Sequence, residues 1–235
     1  MNRVLRFGIL AICLGFIFST VSVRETNAQN ILGEILRRMD NYNKSLQSLK
    51  ADVTMVKHNP QLKVSDTLAG TTSFLPNTKN GRYIRLDWKT ENGRPKEESI
   101  SVMGDKYELY SQHRNTVIQG TIQKAQNSAS IGNALSFMSM STAQRKASYD
   151  PVYIGEEQIQ GGFKTWHVQL TPKTATSYKL ADLWIDVDGV PRQAKITERN
   201  NDTTTVLLSN IQKNITIKAN IFKLKYPSSV KKVKG

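Results

Sequence analysis

The residues able to do chemistry in this 235-residue chain are few and scattered. His58, His113 and His167 stand alone, and no His-Glu-x-x-His pairs two imidazoles on a helix face as a zinc site would require. Asp186-Val187-Asp188-Gly189 resembles the start of a calcium loop but lacks the later ligands and the closing bidentate glutamate, so it reads as a hairpin turn. Ser229 and Lys232 match Ser-x-x-Lys only formally, within a basic tail, and there is no Gly-x-Ser-x-Gly elbow. The carboxylate pairs Glu97-Glu98, Glu156-Glu157 and Asp186/Asp188 fall at turns. No glycine-rich phosphate cradle is present. These residues offer no catalytic constellation, metal site or cofactor site, and the chain reads as a non-enzyme that works through a surface or a cavity.

The N-terminus explains the one cysteine. Arg3 and Arg6 precede a mostly apolar run from Phe7 to Val23, and Thr26-Asn27-Ala28 supplies small residues before Gln29. Residues 1–28 therefore read as a cleaved secretory signal peptide. The run is short of the ~20 apolar residues of a membrane span, and Ile12 before Cys13 does not fit a lipid-modified cysteine. Cleavage removes Cys13 and leaves 207 residues, 29–235, as a single exported domain without disulfides. The whole chain carries +14, and losing Arg3, Arg6, Arg24 and Glu25 leaves +12. Such charge suits anionic lipid headgroups or acidic partners. Export, and the lack of aromatics alternating with Lys or Arg, argue against nucleic acid. Lysines concentrate from Lys218 to Lys234.

The elements follow from periodicity. Ile31, Ile35, Met39, Tyr42, Leu46 and Leu49 recur at spacings of three and four, which predicts an amphipathic helix. From Ala51 the period is two. Strands are expected at Arg82–Lys89, Ser99–Met103, Lys106–Ser111 and Thr116–Ile122. After a weakly helical stretch from Lys124 to Ser148, more follow at Val152–Ile159, Phe163–Leu170, Leu180–Val187 and Val190–Arg199. Thr204–Gln212 and Ile215–Leu224 close the series. Each shows one apolar and one polar face, predicting an α+β fold: about ten antiparallel strands in one meander, curved and covered by helices on one side. The inward set comprises Ile84, Leu86, Trp88, Trp166, Val168, Leu170, Leu183 and Ile185, with Val187 in phase. Alternation alone does not distinguish a lipid-accessible groove from a closed core beneath the first helix. Ile131, Leu135, Phe137 and Met138 are the candidate lid over that face.

The order of features carries a resemblance. After the signal peptide and helix come Leu49-Lys50-Ala51-Asp52-Val53-Thr54-Met55, Gly70 to Phe74, and Arg85-Leu86-Asp87-Trp88. Ile100 to Lys106, Tyr107-Glu108-Leu109-Tyr110, Val168 to Lys173 and Phe222 to Val230 continue it. Together they resemble the LolA-like periplasmic carriers of outer-membrane lipoproteins. The resemblance implies an incomplete β-barrel with an apolar, helix-lidded concave face. It also implies monomeric carriage of lipoprotein acyl chains or other lipid, without hydrolysis, from an inner-membrane exporter to an outer-membrane receptor. A periplasmic sensor or binding module for lipidated ligands, on the same half-barrel, is the alternative. One position departs: members with a lid latch have Arg immediately before the Pro of the strand preceding the Trp. Here Leu75 precedes Pro76, and the inserted loop carries Lys79, Arg82 and Arg85.

Overall fold

The computed structural model describes residues 22–121 and 140–235, with side chains from Ala28 onward. Helix α1 (Ser22–Ser45) leads into strands β1 (Leu49–Asn59), β2 (Val64–Thr78), β3 (Gly81–Glu91), β4 (Arg94–Met103), β5 (Lys106–Ser111) and β6 (Thr116–Thr121). Helix α2 (Thr142–Ser148) introduces β7 (Tyr149–Ile159), β8 (Phe163–Pro172), β9 (Tyr178–Ile185), β10 (Pro191–Glu198) and β11 (Thr203–Lys213). A 3₁₀ turn at Ala219–Phe222 precedes a final strand, β12 (Lys231–Lys234).

The twelve strands form one sheet in the order β12-β6-β5-β4-β3-β2-β1-β11-β10-β9-β8-β7. Two antiparallel runs, β1–β6 and β7–β11, therefore meet where β1 pairs with β11, in place of the single meander expected. The sheet is open, with β12 and β7 as its edges. It is an incomplete barrel of the α+β class.

Helix α1 lays Ile35, Met39 and Tyr42 against the inner face, and Leu46 follows them just past its last residue, all buried. Ile31, expected among them, is 39 % exposed, and Leu49 starts β1 instead of ending the helix. The helix end is clamped by Asn214. Its amide donates to the Ser45 carbonyl (3.2 Å), and its side-chain oxygen accepts the Gln47 N–H (2.8 Å). The close of β11 thus fixes where α1 stops, supplying partners to backbone groups that helix termini leave open.

Two expectations about the C-terminal half are corrected. Ile185 ends β9, and Val187 lies 57 % exposed at the tip of the β9–β10 turn. That turn is a three-residue loop, Val187-Asp188-Gly189, closed by the Asp186 N–H on the Val190 carbonyl (3.0 Å) and not a two-residue one. The Asp186 carboxylate accepts the N–H groups of Asp188 and Val190 and pairs with Arg192 (2.7 Å). All its oxygens serve the hairpin.

Ile215 to Leu224 is likewise not a strand. Its alternating apolar residues cross the outer face of β3 and β4 as a strap, so the sheet is covered in part on both sides. Phe222 is fully buried there against Tyr83 (5.6 Å between rings). Arg85 donates to the Ile221 carbonyl and Ser101 to that of Phe222. The chain then adds β12 in parallel to β6, Lys231 opposite Thr116. Because Ser101 is 2 % exposed, Ser101→Ala leaves a buried carbonyl without its hydroxyl donor. It should cost about 1–2 kcal/mol in a denaturant titration.

Candidate functional site

Register places the side chains of the inner face. Opposed residues in antiparallel pairs share a face, so Ile84 lies in one row with Phe74, Val102 and Tyr107. Leu86 lies in the next with Thr72, Ile100, Leu109 and Ile118. Ala51, Val53 and Met55 continue this face on β1.

The inner face has two parts. Over β7–β11, β1 and the Leu86–Trp88 end of β3 it is sealed. Leu86, Trp88, Val168, Leu170, Leu183 and Ile185, six of the eight residues the sequence assigns inward, join one buried cluster with Ile35, Leu36 and Met39 of α1. Val168, Leu170, Leu183 and Ile185 have no exposed surface at all. Trp166 is half-buried beneath the Arg38 guanidinium, 5.4 Å from the ring centroid, and Ile84 is half-buried on β3.

Over the remainder of β2–β6 the face is only partly covered. Phe74, Ile84, Ile100, Val102, Leu109 and Ile118 are neither buried nor fully exposed. They form a continuous apolar trough across five strands. Of these, the sequence assigns only Ile84 inward. A signal exists in Ile100/Val102 and in Leu109, but short strands of mixed polarity do not reveal which neighbours they face. The lid candidates Ile131, Leu135, Phe137 and Met138 lie outside the described residues.

A buried cation sits beside α1 that the sequence does not mark. Arg145 of α2 is wholly buried. Its guanidinium donates to the Met140 carbonyl and, at 3.4 Å, to Thr142 Oγ1, while its Nε has no partner among the described residues. Burial holds its pKa down at about 10, against the pull of Asp40. Asp40 also accepts the Thr142 N–H (2.7 Å), and the Thr142 hydroxyl donates to the Leu36 carbonyl (3.1 Å). These contacts pin residues 140–145 to α1, where the chain enters the β7 edge. They position structure and place no acid–base pair.

His167 lies on the outer face but does not face solvent as its alternation with Trp166 suggests. Its side chain is 12 % exposed, with Glu157 Oε1 at Nδ1 and Asp182 Oδ1 at Nε2, both 2.8 Å away. Its ring stacks on Trp184 at 4.5 Å. Trp184 Nε1 donates to Glu157 Oε2 (2.7 Å), and Gln169 donates to Asp182 (3.2 Å). The Thr165 hydroxyl, on the same face, is spent on the Glu157 carbonyl (2.8 Å). The network laces β7, β8 and β9 together and presents no nucleophile. Among the described residues no group of three His, Cys, Asp or Glu is arranged to hold a metal ion.

The Trp184 indole, and after it the imidazole, hold the Glu157 carboxyl below its usual range, against the opposing effect of partial burial. A depressed carboxyl pKa adds stability that is complete above the unfolded value of ~4.3 and is lost as pH falls through the lower folded value. Glu157→Gln should therefore be less stable than the wild type at pH 7, with the difference shrinking as pH falls below ~4.3, by thermal melting.

The described residues thus form an open half-barrel whose apolar inner face is buried in one part and a half-covered trough in the other. Over residues 44–225 the chain matches the family described as outer membrane lipoprotein carrier protein LolA, and it belongs to that family. Curated protein sequences offer no match. Among solved structures it is similar to an uncharacterized conserved protein from Thermus thermophilus, with TM-score 0.53 and 12 % identity over 89 % of this chain and 99 % of that one. It is also similar to MucB, with TM-score 0.52 and 11 % identity over 85 % of this chain and 63 % of that one. The Mycobacterium tuberculosis lipoprotein LppX gives TM-score 0.47 and 16 % identity, over 81 % and 99 % of the two chains. For the first two of these the likeness is one of fold.

Proposed function

We propose that this protein is a periplasmic carrier that shields the acyl chains of lipoproteins and moves them from the inner to the outer membrane. It would collect them from an inner-membrane exporter and deliver them to an outer-membrane acceptor, without itself catalysing a reaction. The observation that carries the reading is the partly exposed apolar trough of Phe74, Ile84, Ile100, Val102, Leu109 and Ile118 on the inner face. Family membership supports it. Burial of each methylene contributes ~0.8 kcal/mol, so a long acyl chain gains on the order of 10 kcal/mol before ordering costs. An apolar trough needs no other chemistry to hold a lipid. Among the described residues no helix is long and apolar enough to cross a membrane.

Mass spectrometry of organic extracts from the purified protein, with titration of a fluorescent triacylated lipopeptide, tests the reading. Co-purified acyl species and saturable lipopeptide binding are expected. Reproducible absence of both would overturn it.

A further inference from the structure

The strap and β12 carry a charge pattern that acyl carriage does not use. From Thr203 to Gly235 the chain contains seven lysines and no acidic residue. Lys213, Lys218, Lys223, Lys225, Lys231, Lys232 and Lys234 are all exposed. None is in an ion pair among the described residues. The carboxylates beneath the strap are occupied: Asp87 by Arg85 and Ser99, and Glu108 by Gln119. Asp87 is compensated by Arg85, whereas Glu108 keeps its charge under a neutral amide but forms no ion pair with any of these lysines among the described residues.

Apolar side chains stand among these cations. Ile215, Ile221 and Val233 are 37 %, 36 % and 38 % exposed. Parallel pairing sets Val233 beside Ile118, the last residue of the trough row. Lys232 and Lys234 alternate with it toward the outer face. Lys231, in phase with Val233, stands on the inner side, so the strand that forms the trough's lip carries one apolar side chain flanked by lysines on both faces. Lysine at a sheet edge also blocks further strand pairing, but that role does not call for lysines along the strap, away from the edge.

We propose that this lip docks on an anionic phospholipid surface, bringing the open end of the trough to the membrane. Unpaired lysines interspersed with exposed aliphatic side chains are the composition of a peripheral membrane surface. Protein–protein interfaces are instead depleted in lysine, and no arginine fork here is set for a specific carboxylate. Docking rests on the charge pattern. Its purpose, placing the trough for lipid entry or exit, rests on the carriage reading.

Vesicle flotation of the purified protein tests this, using phosphatidylcholine alone and phosphatidylcholine with about one-third phosphatidylglycerol. Binding is expected only to the anionic vesicles and should fall steeply as salt rises from about 0.05 to 0.5 M. Replacing Lys225, Lys232 and Lys234 together by Gln should weaken it about tenfold or more. Lys57→Gln with Lys164→Gln, at exposed sites elsewhere, should leave it unchanged. Absence of binding, equal binding to neutral vesicles, or equal loss in the control variant would each overturn docking. Binding to soluble polyglutamate without binding to vesicles would overturn it in favour of an acidic protein partner. Affinity for the fluorescent lipopeptide, measured without vesicles, should be unaltered in the triple variant. If the wild type fails that assay yet still floats, carriage falls and docking stands.

Discussion

Replacing Ile100 and Leu109 together by asparagine is expected to weaken lipopeptide binding by about two orders of magnitude while leaving the protein folded. The two residues face each other across β4 and β5 in the middle of the trough. Both are already partly exposed, so the change loses less folding energy than it would in the sealed half. Fully burying such a side chain against a ligand gains about 1.5–3 kcal/mol, and the new amides must also be desolvated when an acyl chain covers them. Two positions therefore remove enough binding energy for a roughly hundredfold effect, since 1.4 kcal/mol is about tenfold. Val152→Asn with Ile154→Asn makes the same chemical change at sites 52 % and 49 % exposed on β7, and should not alter binding. Equal affinities for wild type and trough variant, measured by displacement of a fluorescent lipopeptide, would remove the trough from the site.

The second large effect is structural and falls on the cover of the sealed half. Gly189 has φ +79° at the β9–β10 turn, and a Cβ there would lie 2.4 Å from the Arg38 carbonyl carbon and 2.8 Å from the Met39 nitrogen. Both are backbone atoms of α1, which cannot swing aside as a side chain would. Gly189→Val adds the penalty of a β-branched residue at positive φ to the displacement of the helix. Moving α1 uncovers Val168, Leu183 and Ile185, which it buries completely. The expected loss is about 4 kcal/mol or more, read from urea unfolding, with increased binding of an apolar dye at neutral pH. A variant that melts within a degree or two of the wild type would show that α1 does not need this close approach.

Both expectations depend on how the inner face is divided, and only part of that division is legible in the sequence. Alternation in Arg82–Lys89, Phe163–Leu170 and Leu180–Ile185 marks the inward side chains, because a strand's period of two leaves a half-buried segment no other way to hide them. The three-and-four spacing of Ile35, Met39, Tyr42 and Leu46 marks the helix that covers them. Signals of this kind are local, and the curved antiparallel sheet with its helical cover follows from them. The failures have a local cause too. Ile215, Ile217, Ala219 and Ile221 alternate like a strand, but alternation records only that one side is apolar. The outer face of β3 and β4 buries Phe222 without hydrogen-bonding the segment into the sheet.

What the chain's own residues determined is therefore the inward set, the class of fold and, through the order of weak motifs, the family. Tertiary structure alone decided which inward residues are sealed and which remain open. Leu86 and Ile100 share one row of the sheet, yet Leu86 lies within the buried cluster under α1 while Ile100 only packs against its margin. The difference lies in what packs opposite each residue, and no periodicity within β3 or β4 encodes it. The same holds for Arg145, which reads as an ordinary helical arginine until α1 and β7 close around it. Burial is a property of what lies opposite a residue, and what lies opposite is set by contacts distant in the chain.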